Sequence, residues 1–190
     1  MQQEEVLVQI NRPLINDRIS RKICFEIFLF SFEQMIHRKY LTKEQAIQKL
    51  KHYCGYQERS HSEVKEKLYN LGVGKKEHDE IISTLIEENY LNEERFAIAF
   101  AGGKFRMKQW GRVKIKYELK QKQVSEYNIK NALKQIDETV YRDTLLKLYK
   151  EKWESLKGEK NKFIKMTKTR DYLLQKGYEG EMINRVMESG

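Results

Sequence analysis

From Leu41 onward the apolar positions recur at helical spacing, interrupted at intervals by residues that start and stop helices. Thr42-Lys43-Glu44-Gln45 and Ser60-His61-Ser62-Glu63 are capping boxes: the hydroxyl accepts from a free first-turn N–H while Gln or Glu reaches back. Asn92 before Glu93 and Glu94, and Asp137 before Glu138, set an N-cap ahead of first-turn acids, where the helix dipole favours negative charge. Gly72 after Leu68 and Leu71, and Gly177 after Leu173 and Leu174, stand where a helix ends in the left-handed region.

These signals repeat. With Leu68, Leu119 and Leu173 in register, Val64, Ile115 and Thr169 align four residues before them, and Gly72, Gln123 and Gly177 four after. Val73, Val124 and Tyr178 follow, then Ile81, Ala132 and Val186, then Ile82, Leu133 and Met187. Each copy reads as helix, stop, short turn, helix. A further helix precedes each pair, at roughly 42–55, 92–107 and 138–156. The predicted fold is therefore all-α, with three tandem three-helix repeats over 41–91, 92–137 and 138–190 and an N-terminal extension over 1–40. One local pattern disagrees: Val113, Ile115, Tyr117 and Leu119 alternate with polar residues, which is the period of a strand. The aligned copies lack that alternation, so the repeat outweighs it and predicts helix. Gln123 puts a non-glycine at a left-handed position, at a cost on the order of 1 kcal/mol.

Residues 1–34 read differently. They hold the chain's one proline, Pro13, and the apolar run Ile23–Phe30 preceded by Arg21-Lys22. That run resembles a signal-peptide core, but no small-residue cleavage site follows it. The first expectation is that Met35 is the natural start and residues 1–34 are upstream sequence. The alternative is an amphipathic strand or helix packed on the body. The near absence of proline elsewhere supports helix almost throughout, since proline removes an N–H and clashes with the preceding turn.

Charge adds a second layer. The formal net charge is +9, and charged residues are 34% of the chain against 39% hydrophobic, which suits thin cores and much surface. Lys104–Lys122 holds eight basic residues and one acid; Lys147–Arg170 holds nine and three. Glu77–Glu94 has seven acids and no Lys or Arg. Such concentrated positive charge suits a polyanion or an acidic protein surface; each run is equally readable as a solvated helix face. Arg112, Lys116 and Lys120, spaced four apart, form one basic stripe beside the apolar pair Ile115 and Leu119, and a stripe so placed can meet a groove edge. Phe105 and Trp110 fall in the same window. They are read first as packing between repeats and second as base-stacking rings.

Catalytic chemistry finds no footing. Gly102-Gly103-Lys104 lacks the spacing and the following Ser or Thr of a phosphate loop, and the glycine pair is expected to end or loosen a helix. The histidines form no His-Glu-x-x-His, and no Gly-x-Ser-x-Gly occurs. Glu87-Glu88 and Glu93-Glu94 are expected to be solvated. Cys24 and Cys54 are read as reduced thiols, and His52 with Cys54 is too few ligands for zinc. No run approaches the roughly 20 apolar residues of a membrane span.

The aligned residues also resemble a family. Ser60-x-x-Glu63-x-x-x-x-Leu68-x-x-x-Gly72 resembles the first repeat of RecX proteins. Tyr90-Leu91-Asn92-Glu93-Glu94-Arg95-Phe96-Ala97 is similar to the family's linker. Lys108-Gln109-Trp110-Gly111, then Leu119 and Val124, is similar to the second repeat, and Arg170-x-Tyr172-Leu173-x-x-Lys176-Gly177-Tyr178 with Ile183 to the third. The match covers roughly residues 41–189; no short piece is specific, but the ordered set is. Gln123 replaces the usual glycine, and residues 1–34 match nothing in the family. The resemblance implies an elongated, curved, cytoplasmic monomer without enzymatic activity, cofactor or metal. It implies binding along or within the groove of a RecA–DNA filament, inhibiting strand exchange and ATP hydrolysis. The residues expected to meet filament or DNA are Lys104, Arg106, Lys108, Arg112, Lys116 and Lys120. The alternative is a direct DNA-binding protein with helix-turn-helix-like units, reading through Asn128, Lys130, Asn131 and Lys134. It ranks second because the first copy presents Glu77, Asp79, Glu80 and Ser83 there. Weak, non-specific nucleic-acid affinity is expected of a +9 chain on either reading.

Overall fold

Every N-cap read from the sequence is in place. A computed structural model describes residues 41–188 of the chain. In it Thr42 and Ser60 each close a full capping box, Asn92 Oδ1 accepts from the Arg95 N–H at 2.9 Å, and the Asp137 side chain accepts from the Val140 N–H. The expectations for residues 1–34, and the extension to residue 40, lie outside the described residues.

Among the described residues there are nine helices and no strand: α1 Lys43–Tyr56, α2 His61–Asn70, α3 Lys75–Glu87, α4 Glu93–Lys108, α5 Arg112–Gln121, α6 Glu126–Lys134, α7 Glu138–Ser155, α8 Lys162–Lys176 and α9 Gly180–Glu188. They fall into three triads. The segment with strand-like alternation is α5, as the repeat required. α4 runs through Gly102 and Gly103 without a break, correcting the expectation that they end it. With no Cβ at Gly102, the Arg106 guanidinium folds back over that position.

The register leucines Leu68, Leu119 and Leu173 are fully buried, as are Val64, Ile115 and Thr169 one turn earlier. Thr169 is the polar member, and its Oγ1 donates to the Lys165 carbonyl at 2.9 Å, so burial leaves no hydroxyl unpaired. The stop residues Gly72, Gln123 and Gly177 all have positive φ: 75°, 59° and 91°.

The repeats are joined in two different ways. Between the second and third, the N-terminus of α5 has no side-chain cap, and its free N–H groups are taken by the next repeat. Gly111 N–H donates to Lys176 O at 2.9 Å, Val113 N–H to Gly177 O at 3.0 Å, and Arg112 N–H to the Tyr141 hydroxyl at 2.9 Å. The positive end of the α5 dipole thus meets the negative end of α8. The Tyr141 hydroxyl in turn donates a hydrogen bond to Glu179 at 2.7 Å. Between the first and second repeats the aligned contact runs through side chains. Ser62 Oγ donates to Lys122 O at 2.9 Å, and Lys122 Nζ donates to Glu63 at 2.6 Å.

The packing follows this difference. One apolar cluster runs continuously through the second and third repeats, from Phe96 and Phe105 through Leu119 to Tyr141, Leu145 and Tyr178. The first repeat has its own cluster around Leu50, Leu68, Ile81 and Leu85. Phe105 is part of the shared cluster, its ring 5.6 Å from that of Tyr141, and Trp110 packs at its edge; both are inter-repeat packing, the first of the two readings.

Candidate partner-binding surface

The basic window Lys104–Lys122 folds into the end of α4, a three-residue turn and all of α5. The turn is tight because Gln109 takes the left-handed conformation, φ 53°, and its N–H returns to Phe105 O. The six residues singled out in the sequence divide into two groups.

The stripe on α5 is partly compensated within the molecule, its three cations sharing two carboxylates. Lys116 and Lys120 both reach Glu126, at 3.3 and 2.5 Å, and their hydrogen bonds, Lys120's foremost, hold that carboxyl below its ordinary pKa. Arg112 donates to Glu138 at 2.7 Å and lies over the Tyr141 ring at 4.1 Å. That bond likewise holds the Glu138 carboxyl low. Arg112 therefore stitches α5 to α7 and is only partly available to a partner. Burial pushes the Tyr141 hydroxyl far above its ordinary range, so it stays protonated and can both accept from α5 and donate to Glu179.

The end of α4 is different. Among the described residues Lys104, Arg106 and Lys108 have no acidic partner. Lys104 Nζ lies between the rings of Phe100 and Trp110, 5.1 and 5.2 Å from their centroids, which orients the ammonium without neutralising it. Lys104 and Lys108 line a groove of ≈360 Å³ between the first two repeats, with Phe100, Gly103, Glu63 and Lys122. Lys122 was not among the predicted residues. It lay inside the basic window, but its ion pair with Glu63 crosses between repeats, and no helical spacing shows that. Lys114 was also missed; its ammonium stands 4.8 Å from the Trp110 ring centroid and donates to Gln175 O at 3.3 Å.

Glu93 corrects the expectation that this pair is solvated, while Glu94 is exposed as expected. Glu93 accepts from Ser125 Oγ at 2.8 Å and Asn128 Nδ2 at 2.6 Å, and Glu94 accepts from Asn131 Nδ2 at 3.4 Å. The linker acids thus hold the N-terminus of α6 against α4. Asn128 and Asn131, the amides a base-reading helix would present, are engaged inside the repeat. Among the described residues no cluster of His, Cys, Asp or Glu could hold a metal ion, and no helix is long and apolar enough to cross a membrane.

Three helical triads, each capped at its start and stopped in the left-handed region, define a tandem three-helix-repeat protein. Residues 92–133 match the family model for the second three-helix domain of RecX, and residues 140–187 the model for the third. The chain is 29% identical over 164 residues to the regulatory protein RecX of Bacillus cytotoxicus, covering 86% of this chain and 57% of that protein. It is 34% identical over 130 residues to the RecX of Clostridium perfringens, covering 68% of this chain and 60% of the relative. The matches thus span little more than half the length of these curated relatives. A crystal structure of RecX from Lactobacillus salivarius superposes with a TM-score of 0.70 at 21% identity, over 77% of this chain and 95% of that one. Another RecX crystal structure gives 0.71 at 19% identity over 77% of this chain and 71% of that one. Those two show the shared fold. The chain belongs to the RecX family of regulatory proteins.

Proposed function

We propose that this chain binds a RecA–DNA filament and lowers RecA's recombinase and ATPase activity, acting as a cytoplasmic monomer with no cofactor and no chemistry of its own. Membership of the RecX family carries the reading. Within the basic window, the charge left for a partner is concentrated at Lys104, Arg106 and Lys108; Arg112, Lys116 and Lys120 contribute less because Glu138 and Glu126 already hold them. The groove that Lys104, Lys108 and Lys122 line supports this placement of the partner's acidic groups. Nucleic-acid affinity of the chain alone is weak and non-specific, supplied by its net charge of +9.

RecA ATPase on single-stranded DNA tests the proposal. The chain should depress it at amounts well below one molecule per RecA, because each bound copy affects a filament end or a run of neighbours. Lys104→Glu, Arg106→Glu and Lys108→Glu together should weaken inhibition, most at low salt, where surface charge is least screened. Lys116→Gln with Lys120→Gln should weaken it less. No effect on RecA, together with duplex binding that prefers one sequence by roughly 10³-fold, would replace this reading with that of a direct DNA reader.

A further inference from the structure

The third repeat departs from the other two where its second helix begins. His61 and Arg112, the first residues of α2 and α5, each stand seven residues before their register leucine; α8 starts at Lys162, eleven before Leu173. The extra turn carries Phe163 and Ile164, and Met166 follows. All three are exposed, Phe163 to 77%. In register, Phe163 and Ile164 thus stand one to two residues ahead of the earliest position, Gly111, through which the α5 end docks on the following repeat. These apolar side chains stand inside a strongly basic setting.

The charge there is less compensated than on α5. Lys157 pairs with Glu154 at 2.5 Å and Lys168 with Glu159 at 2.8 Å, both near the surface. Lys165 lies over the Trp153 ring at 4.2 Å, oriented but not neutralised. Among the described residues Lys150, Lys160, Lys162 and Arg170 have no acidic partner. Lys160 and Lys162 flank Phe163 in the chain. The Phe163 backbone N–H is spent on the Asn161 cap at 2.9 Å, so its ring plays no part in that cap.

We propose that this face, Lys160, Lys162 and Phe163 with Arg170 beside Phe163, binds a single strand of nucleic acid. Lysines take the phosphates and the Phe163 ring stacks on an unpaired base. Charge complementarity selects the occupant: a second copy of the same basic face would repel it, whereas a phosphate chain supplies the missing negative charge. An exposed ring selects the single strand, because bases within a duplex are already stacked and paired. The proposal deepens the weak nucleic-acid affinity assigned above, and it concerns a surface separate from Lys104, Arg106 and Lys108.

Fluorescence anisotropy of a labelled oligothymidylate, with the full chain and without RecA, tests it. Lys160→Gln with Lys162→Gln should reduce the slope of log affinity against log salt by about 1.4, two phosphate contacts at about 0.7 each for single strands. Phe163→Ala should weaken binding on the order of tenfold, yet leave binding to heparin, a polyanion without bases, unchanged. Lys75→Gln with Lys76→Gln removes the same charge from exposed positions of the first repeat and should change neither slope nor affinity appreciably. These side chains are exposed, so all variants should keep the parent's circular dichroism and melting temperature. Four results would each overturn the proposal: a Phe163→Ala variant that binds oligothymidylate like the parent; equal loss from the first-repeat control; a duplex bound as tightly as the single strand; or anionic phosphatidylglycerol vesicles preferred over the oligonucleotide at equal charge. RecA inhibition is measured separately, so either proposal can fail while the other stands.

Discussion

Replacing Gly111 with alanine should pry the second and third repeats apart. A Cβ at Gly111 would stand 2.5 Å from Tyr178 N and closer still to the Gly177 carbonyl. All of these are backbone atoms, so no side chain can swing away, and the two helix ends must separate by about an ångström to reach ordinary contact distances near 3.5 Å. That separation breaks the bonds from Gly111 N–H to Lys176 O and from Val113 N–H to Gly177 O, and loosens that from Arg112 N–H to Tyr141. Each is worth about 1 kcal/mol net, and more where the N–H is left buried without a partner, so the loss should be about 3 kcal/mol. For a chain of this size that corresponds to roughly 10 °C in Tm. Thermal unfolding by circular dichroism measures the loss, and hydrogen exchange at the Gly111 and Val113 amides locates it. Gly55 gives the opposite control. It sits in α1 with open space where a Cβ would go, and Gly55→Ala should stabilise by about 0.5–1 kcal/mol through reduced backbone entropy. A Gly111→Ala protein that melts within a degree or two of the parent would show that the two helix ends do not meet as described.

Three further predictions follow from the same packing. Leu119 is fully buried in the cluster shared by the second and third repeats, and Leu119→Ala should cost roughly 2–5 kcal/mol in urea unfolding; a loss below 1 kcal/mol would refute the register. Gln123 holds φ 59° without being glycine, so Gln123→Gly should raise stability by about 0.5–1 kcal/mol, the relieved left-handed strain exceeding the entropy glycine adds to the unfolded chain. Destabilisation instead would mean that the glutamine side chain helps hold the joint to the first repeat. The buried Cys54 thiol is pushed up to about 11, chiefly by burial, so at pH 8 native protein should alkylate there far more slowly than unfolded protein. Peptide mass mapping separates it from Cys24, and equal rates in native and unfolded protein would refute the buried placement.

Much of the fold was legible in the chain because helix ends are local. A capping box is four consecutive residues, and a left-handed stop follows its helix directly, so Thr42, Ser60, Asn92, Asp137, Gly72 and Gly177 announced themselves without any knowledge of what lay beside them. The leucine register was legible for a related reason. Three copies of one unit must bury the same positions, and comparing copies overruled the strand-like alternation at Val113–Leu119 that a single copy would have suggested. The six basic residues could be named from the sequence, but not how much of their charge a partner would find. Glu126 is shared by Lys116 and Lys120 across the turn between α5 and α6, Glu138 takes Arg112 from the next repeat, and Lys104 is left between two rings. Those pairings depend on where separate helices come to lie, which tertiary packing decides. The two kinds of joint were likewise closed to sequence reading. Gly111 looked like part of a repeat motif and Gln123 like a departure from one. Only in three dimensions does Gly111 meet Gly177 backbone to backbone, where a single methyl would part them, while the aligned position in the first repeat is a serine and its joint runs through hydroxyl and lysine side chains.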